Sequence, residues 1–205
     1  MAPQTQWHKL DRDRTLAMID SVKTSGDHIL FSIATSEAKC SKLSFYKNLL
    51  LYRLTNYASM PSFSFDYLGD GKSYYYLDGG TTAIYNANDS GNLILNEQTV
   101  IDYITFFFGH VSGPDGDVYV IEDPSNHPAL DSLNYMQMDD IIARHEAAEI
   151  ARNIDGGFRV KTSLYYLGSL VRATIDVDRF GRVNVGDFEM LLSIGNTMAE
   201  QGLGA

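Results

Sequence analysis

The chain of 205 residues contains one cysteine, Cys40, and one tryptophan, Trp7. A single thiol excludes an intramolecular disulfide. It also excludes a zinc centre made within one chain from four cysteines or from two cysteines and two histidines. Cys40 reads as a buried or half-buried free thiol. No run approaches the ~20 apolar residues that cross a bilayer. The opening "MAPQTQWHKLDRDR" has no apolar core of signal-peptide type. A soluble, cytoplasmic protein that does not engage membranes is expected. No dinucleotide fingerprint or G-x-S-x-G elbow is present. The "GDGKS" of residues 69–73 lacks the first glycine of a phosphate loop, because Asp66 stands there, and no helix signal follows.

Positive charge is also scarce in the middle of the chain. Residues 61–140 hold one basic residue, Lys72, against thirteen acidic ones. The net charges of residues 1–60, 61–140 and 141–205 are +3, −12 and −1, within a total of −10. Such a centre repels a phosphate backbone, so nucleic acid is not an expected partner. A basic partner or a cation is attracted to it. The plainer role of these carboxylates is to solvate turns.

Apolar residues make up 44 % of the chain and charged residues 20 %. That mix supports a packed core and excludes a disordered chain. With 13 tyrosines and 10 phenylalanines, an aromatic-rich core is expected.

The spacing predicts an amphipathic helix over 12–23, with Leu16, Ile19 and Val22 or Lys23 on its apolar side and Asp11 or Asp13 as cap. Residues 28–35 are ambiguous between strand and helix. Residues 45–56, 62–68, 73–79 and 83–88 read as strands of a first meander, with a turn at "GDGK". Residues 96–110 give the strongest helix, with Asn96 as N-cap, Gly109 at the C′ position and a broad, buried apolar face. A strand follows at 117–123 and a helix at 136–148. A second meander runs through 158–166, 169–177 and 182–188, and residues 188–199 are expected to close the chain as a helix. The expected fold is α+β: two antiparallel β-meanders with a buried central helix and flanking N- and C-terminal helices. Residues 1–40 are expected as an N-terminal helical arm and 41–205 as a single α+β domain.

Three stretches carry candidate chemistry. "RHEAAEIARN" (144–153) imitates a zinc-protease helix, but the second histidine is replaced by Glu149. His145, Glu146 and Glu149 are therefore candidate catalytic residues. A solvated i,i+4 pair of His145 with Glu149 is the plainer alternative. "DVDRFGRVNVGDF" (176–188) places Asp176, Asp178, Gly181 and Asp187 at calcium-loop positions. Phe180 has no ligating group, however, and the preceding residues alternate as a strand, so a hairpin turn is expected. In "GPDGDVYVIED" (113–123), Asp115 and Asp117 are candidate metal ligands, with Glu122 and Asp123 one short strand away, but no metal is expected and a turn feeding a strand is the plainer reading. The aromatics of 63–76 serve a core or line a ligand cleft.

"YYYLDGGTTAIYNAN", "VIDYITFFFGHVSGPDGDVYVIED" and "LVRATIDVDRFGRVNV" resemble a family of uncharacterised proteobacterial proteins, over roughly residues 45–190. Ala83 departs from the proline expected at that family's turn. The resemblance implies a closing hairpin and a bacterial cytoplasmic setting, and it assigns no activity or site residues.

These readings favour a non-enzymatic binding or protein-interaction module, with a partner or ligand surface near Asp78, Thr81, Thr82 and Tyr85. The alternative is a small-molecule enzyme, metal-assisted or not, at His145. A third option is a structural protein stabilised by a cation at Asp115 and Asp117. No cofactor is expected, and a homodimer is compatible with the sequence.

Overall fold

The computed structural model describes residues 6–23, 30–113 and 115–193. The chain divides into two compact units between Ile94 and Leu95. Its α+β class is the one expected. Among the described residues, no helix is long and apolar enough to cross a membrane.

The N-terminal unit, Gln4–Ile94, contains β1 (His8–Lys9), α1 (Arg12–Lys23), β2 (Ser36–Lys42), β3 (Leu50–Asn56), β4 (Phe63–Gly69), β5 (Tyr74–Tyr76) and α2 (Thr82–Ala87). Its strands form one antiparallel sheet in chain order. The boundary expected after residue 40 falls inside β2, where Cys40 pairs with Tyr52. The first helix is part of this unit's core rather than an arm. Asp11 caps α1 by accepting from the Arg14 amide at 2.8 Å. Its buried face is Thr15, Met18, Ile19 and Val22, whereas Leu16 faces solvent. Met18, Ile19 and Val22 pack with Phe31, Ala38, Tyr52, Leu54 and Tyr67. Each fully buried side chain of this kind contributes about 1.5–3 kcal/mol.

Two further expectations fail in this unit. Residues 83–88 are helical: Ile84 and Ala87, three apart, bury one face of α2. Six residues are too few for a period to be read from sequence. The third strand begins at Leu50, because Phe45, Tyr46 and Leu49 are buried in the segment before it, where Tyr46 bridges to Leu93. Of the ambiguous 28–35 segment, residues 28 and 29 lie outside the described residues. The remainder is a turn that buries Phe31.

The C-terminal unit, Leu95–Ala205, contains α3 (Val100–His110), β6 (Val118–Val120), α4 (Tyr135–Arg144), β7 (Glu149–Arg152), β8 (Phe158–Tyr166), β9 (Ser169–Val177) and β10 (Val183–Ser193). The sheet order is β10-β9-β8-β6, with β7 also paired to β8. The central helix is buried as expected, through Val100, Tyr103, Ile104, Phe106 and Phe107. Asn96 caps the turn that leads into it, accepting from Gln98 and Thr99 amides at 2.9 and 3.1 Å. Gly109 lies inside the helix, which ends one residue later. The Tyr103 hydroxyl donates to the Gly181 carbonyl in the β9–β10 turn.

The β8–β9 hairpin closes on Leu167 (φ 49°) and Gly168 (φ 71°). Two successive positive φ values define the type I′ turn that matches strand twist. One face of this sheet is apolar, with Phe158, Val160 and Leu164 opposite Val177, Ile175 and Val171. The other face carries a smaller core of Ile121, Leu130, Ile141 and Leu170. Here α4 starts with a reciprocal cap: Asn134 accepts from the Gln137 amide at 3.0 Å, and Gln137 accepts from the Asn134 amide at 3.1 Å.

The helix expected at 188–199 is overturned for its described part, because residues 188–193 belong to β10. Residues 194–199 lie outside the described residues. The helix expected at 136–148 stops at Arg144, and the strand expected at 117–123 is confined to Val118–Val120.

Candidate functional site

His145, Glu146 and Glu149 do not share a helix face. His145 is the C-cap of α4 in extended conformation (φ −64°, ψ 135°), and Glu149 opens β7. The His145 Nε2 lies 2.8 Å from the Ile121 carbonyl oxygen. Glu146 and Glu149 both turn to Arg172 on β9, at 3.2 Å each. The Arg172 guanidinium also donates to the Glu146 and Ala147 carbonyls at 2.9 and 3.0 Å. Its side chain is only 10 % exposed. Ser163 on β8 donates to the same Glu146 carbonyl at 3.2 Å. The cluster is an anchor: one guanidinium fork holds an irregular segment across the sheet. The i,i+4 pairing of His145 with Glu149 is absent for the same reason.

Asp115 and Asp117 are exposed and engaged separately. The Tyr166 hydroxyl approaches Asp115 at 3.4 Å, and the Tyr119 hydroxyl donates to Asp117 at 3.2 Å. Burial pushes the Tyr166 and Tyr119 hydroxyls upward, and the adjacent carboxylates add to it. Asp123 is occupied as a turn cap for Ser125 and Asn126, which hold its carboxyl below the usual range. Half-buried Glu122 is pushed upward by burial and then by Asp102. Among the described residues, no three or more metal-binding side chains converge.

The calcium-like stretch is a hairpin, as expected. Asp176 makes two bonds to Arg159 across the strands, at 2.8 and 3.1 Å. Asp178 accepts from the Phe180 and Arg182 amides, and Gly181 takes φ 76°.

Asp78, Thr81, Thr82 and Tyr85 lie together on α2 and the turn before it. Asp78 accepts from the Gly80 amide at 2.9 Å, Thr81 is the N-cap position, Thr82 is exposed and Tyr85 half-buried. They present small polar groups rather than an apolar patch.

The aromatics of 63–76 belong to the first core. Tyr52, Phe65, Tyr67, Tyr74 and Tyr76 are in mutual edge and tilted contact. Burial pushes the Tyr74 hydroxyl up to about 12, with Tyr52 and Asp70 adding to it. Burial also raises the Cys40 thiol, which favours its uncharged form. An open cleft of about 340 Å³ lies beside α1, lined by Lys9, Arg12, Thr35, Glu37 and Tyr57 among others. The Lys9 ammonium already pairs with Glu37.

The strand expected at 182–188 continues to Ser193 as β10, and its exposed apolar row is the feature the sequence reading lacks. Directly opposed residues share a face of a sheet, and Val185, Phe188 and Met190 oppose Ile175, Ala173 and Val171. The three β9 residues are 0, 1 and 6 % exposed, whereas their β10 partners are 45, 66 and 60 % exposed. The apolar row of the core therefore continues into solvent on the last strand. The outer edge of Val185–Met190 is unpaired among the described residues. Leu191 marks where the open edge stops, because its carbonyl accepts from Arg144 at 3.0 Å. The sequence signal was the alternation of Phe188, Met190 and Leu192 with Asp187, Glu189 and Leu191.

No protein-family model, no curated protein and no solved structure matches this chain.

Proposed function

We propose that this protein is a non-enzymatic protein-interaction module and that β10 is its docking element. The observation that carries the reading is the exposed row Val185, Phe188 and Met190, continuous with a row that is buried on β9. A long, exposed, apolar edge strand is a template for pairing. Covering it recovers up to about 1.5–3 kcal/mol for each apolar side chain that becomes fully buried. The alternative of an enzyme at His145 has less support, because that ring meets a backbone carbonyl and both nearby carboxylates are held by Arg172.

The test is photo-crosslinking. A photoreactive phenylalanine analogue replaces Phe188 in one full-length chain and exposed Ser64 in another. The expected result is one dominant protein adduct at position 188 that is absent at 64. Excess unlabelled chain competes it away, and a Phe188→Ser/Met190→Ser chain does not. Adducts that are the same at both positions, or competed equally by both chains, would overturn the reading.

A further inference from the structure

Resting on the reading of β10 as a docking element, we infer that its open edge accepts an added strand from another protein, an extended segment that alternates apolar with basic side chains. Three features of the strand define this occupant. The first is length: the open stretch of β10, Val185–Met190, is six residues long, whereas the terminal strands of the other sheet have two and three. Short edges resist pairing, and long ones invite it.

The second is chemistry. Val185, Phe188 and Met190 point to the apolar face. Glu189 opposes Arg172 on the other face, whose guanidinium is already committed to Glu146 and Glu149. Asp187 lies in the irregularity between Val185 and Phe188. An added strand therefore meets an apolar row on one side and carboxylates on the other. Cross-strand pairing favours apolar opposite apolar and opposite charges opposite each other. Alternating valine-like and lysine-like residues meet both requirements at the strand period of two.

The third excludes a second copy of the chain. Self-pairing brings Asp187 and Glu189 of both copies into one two-stranded ribbon, and each chain carries a net charge of −10. The register shifts between Val185 and Phe188 and between Met190 and Leu192 also interrupt the edge. Bulged edges resist open-ended stacking. The occupant is thus a short segment rather than a growing fibre.

The probe is a short, capped, fluorescent peptide alternating lysine with valine, phenylalanine and leucine, read by anisotropy on the full chain. One control peptide carries glutamate for lysine. A second is N-methylated at two adjacent central residues, which blocks both of its edges. The lysine peptide is expected to bind and the other two are not. Asp187→Lys/Glu189→Lys weakens binding by about tenfold or more, and Phe188→Ser weakens it also. Both variants alter exposed side chains, and circular dichroism checks their folding.

Equal binding of the N-methylated peptide would overturn strand addition. Equal binding of the glutamate peptide, or no binding of the lysine peptide, would overturn the basic partner. Concentration-dependent dimerisation abolished by Phe188→Ser would make a second copy the occupant and overturn the inference. All four outcomes leave the crosslinking test of the interaction module intact. Peptide binding indifferent to Phe188→Ser would move the site off β10 and count against that reading as well.

Discussion

The two sheets end differently. In the N-terminal unit, the aromatic face spans β2–β5 and is packed against α1, and the edges are short strands. In the C-terminal unit, the apolar face is buried across β8 and β9 and open on β10. The same pattern of alternating side chains makes a core where a helix or neighbouring strand covers it. Where nothing in the described chain covers it, that pattern makes a surface. Apolar character alone does not separate the two cases; the position of the strand in the sheet does.

The sharpest contrast lies within one face of the sheet. Phe158 on β8 is 1 % exposed and Phe188 on β10 is 66 % exposed. Phe158→Ala is expected to lower unfolding free energy by about 3–5 kcal/mol, transfer and cavity terms together. Phe188→Ala is expected to change it by less than about 0.5 kcal/mol. Urea unfolding followed by far-UV circular dichroism measures both, since the sole tryptophan, Trp7, lies in the other unit. Equal losses would place Phe188 in a core.

Arg172 ranks next. Arg172→Ala removes donors from two carbonyls and two carboxylates. A loss of about 1–3 kcal/mol is expected, with faster hydrogen exchange over residues 145–149. Arg172→Lys recovers only part of it, because one ammonium does not reproduce the fork. Unchanged exchange in the alanine variant would refute the anchor.

A smaller effect, of opposite sign, is expected at the β8–β9 turn. Leu167 holds φ 49° without glycine's freedom. Leu167→Asn suits a type I′ turn and is expected to raise stability by about 0.5–1 kcal/mol in thermal unfolding. A lower Tm would mean that the exposed leucine packs productively.

The first core has its own weak dependence on alkaline pH. Tyr74 is raised from 10.0 to about 12 in the folded chain. A group raised on folding contributes stability that is present below its unfolded pKa and lost as pH rises through the folded value. The N-terminal unit is therefore expected to weaken between roughly pH 10 and 12. Tyr74→Phe flattens this slope in urea midpoints read from Trp7 fluorescence. An unchanged slope would place the shift elsewhere.

Much of this arrangement was legible in the sequence. The bounds of α1, β8 and β9 follow from clean periodicity, as does the hairpin turn at Asp178–Gly181. Helix α2 was too short to show a period. The end of α4 depends on Arg172, which lies 26 and 25 residues along the chain from the two carbonyls it holds, and no local spacing reveals that contact. Residues 182–188 read correctly as strand, but residues 188–193 of β10 carry a helix signal because the irregularity shifts the parity of the alternation: Val185, Phe188 and Leu192 then fall at helical spacing. Polar motifs mark His145, Glu146, Asp115 and Asp117 in the sequence, whereas the feature that distinguishes this molecule is apolar and depends on which strand lies at the sheet edge.

The most direct test is residue-resolved hydrogen exchange of the isolated chain across β8, β9 and β10. Protection is expected at nearly every amide of β8 and β9. Along Val185–Met190 a split is expected, with amides bonded to β9 protected and outward ones exchanging rapidly. Uniform protection along β10 in the isolated protein would mean that its edge is already covered, and would contradict the docking strand.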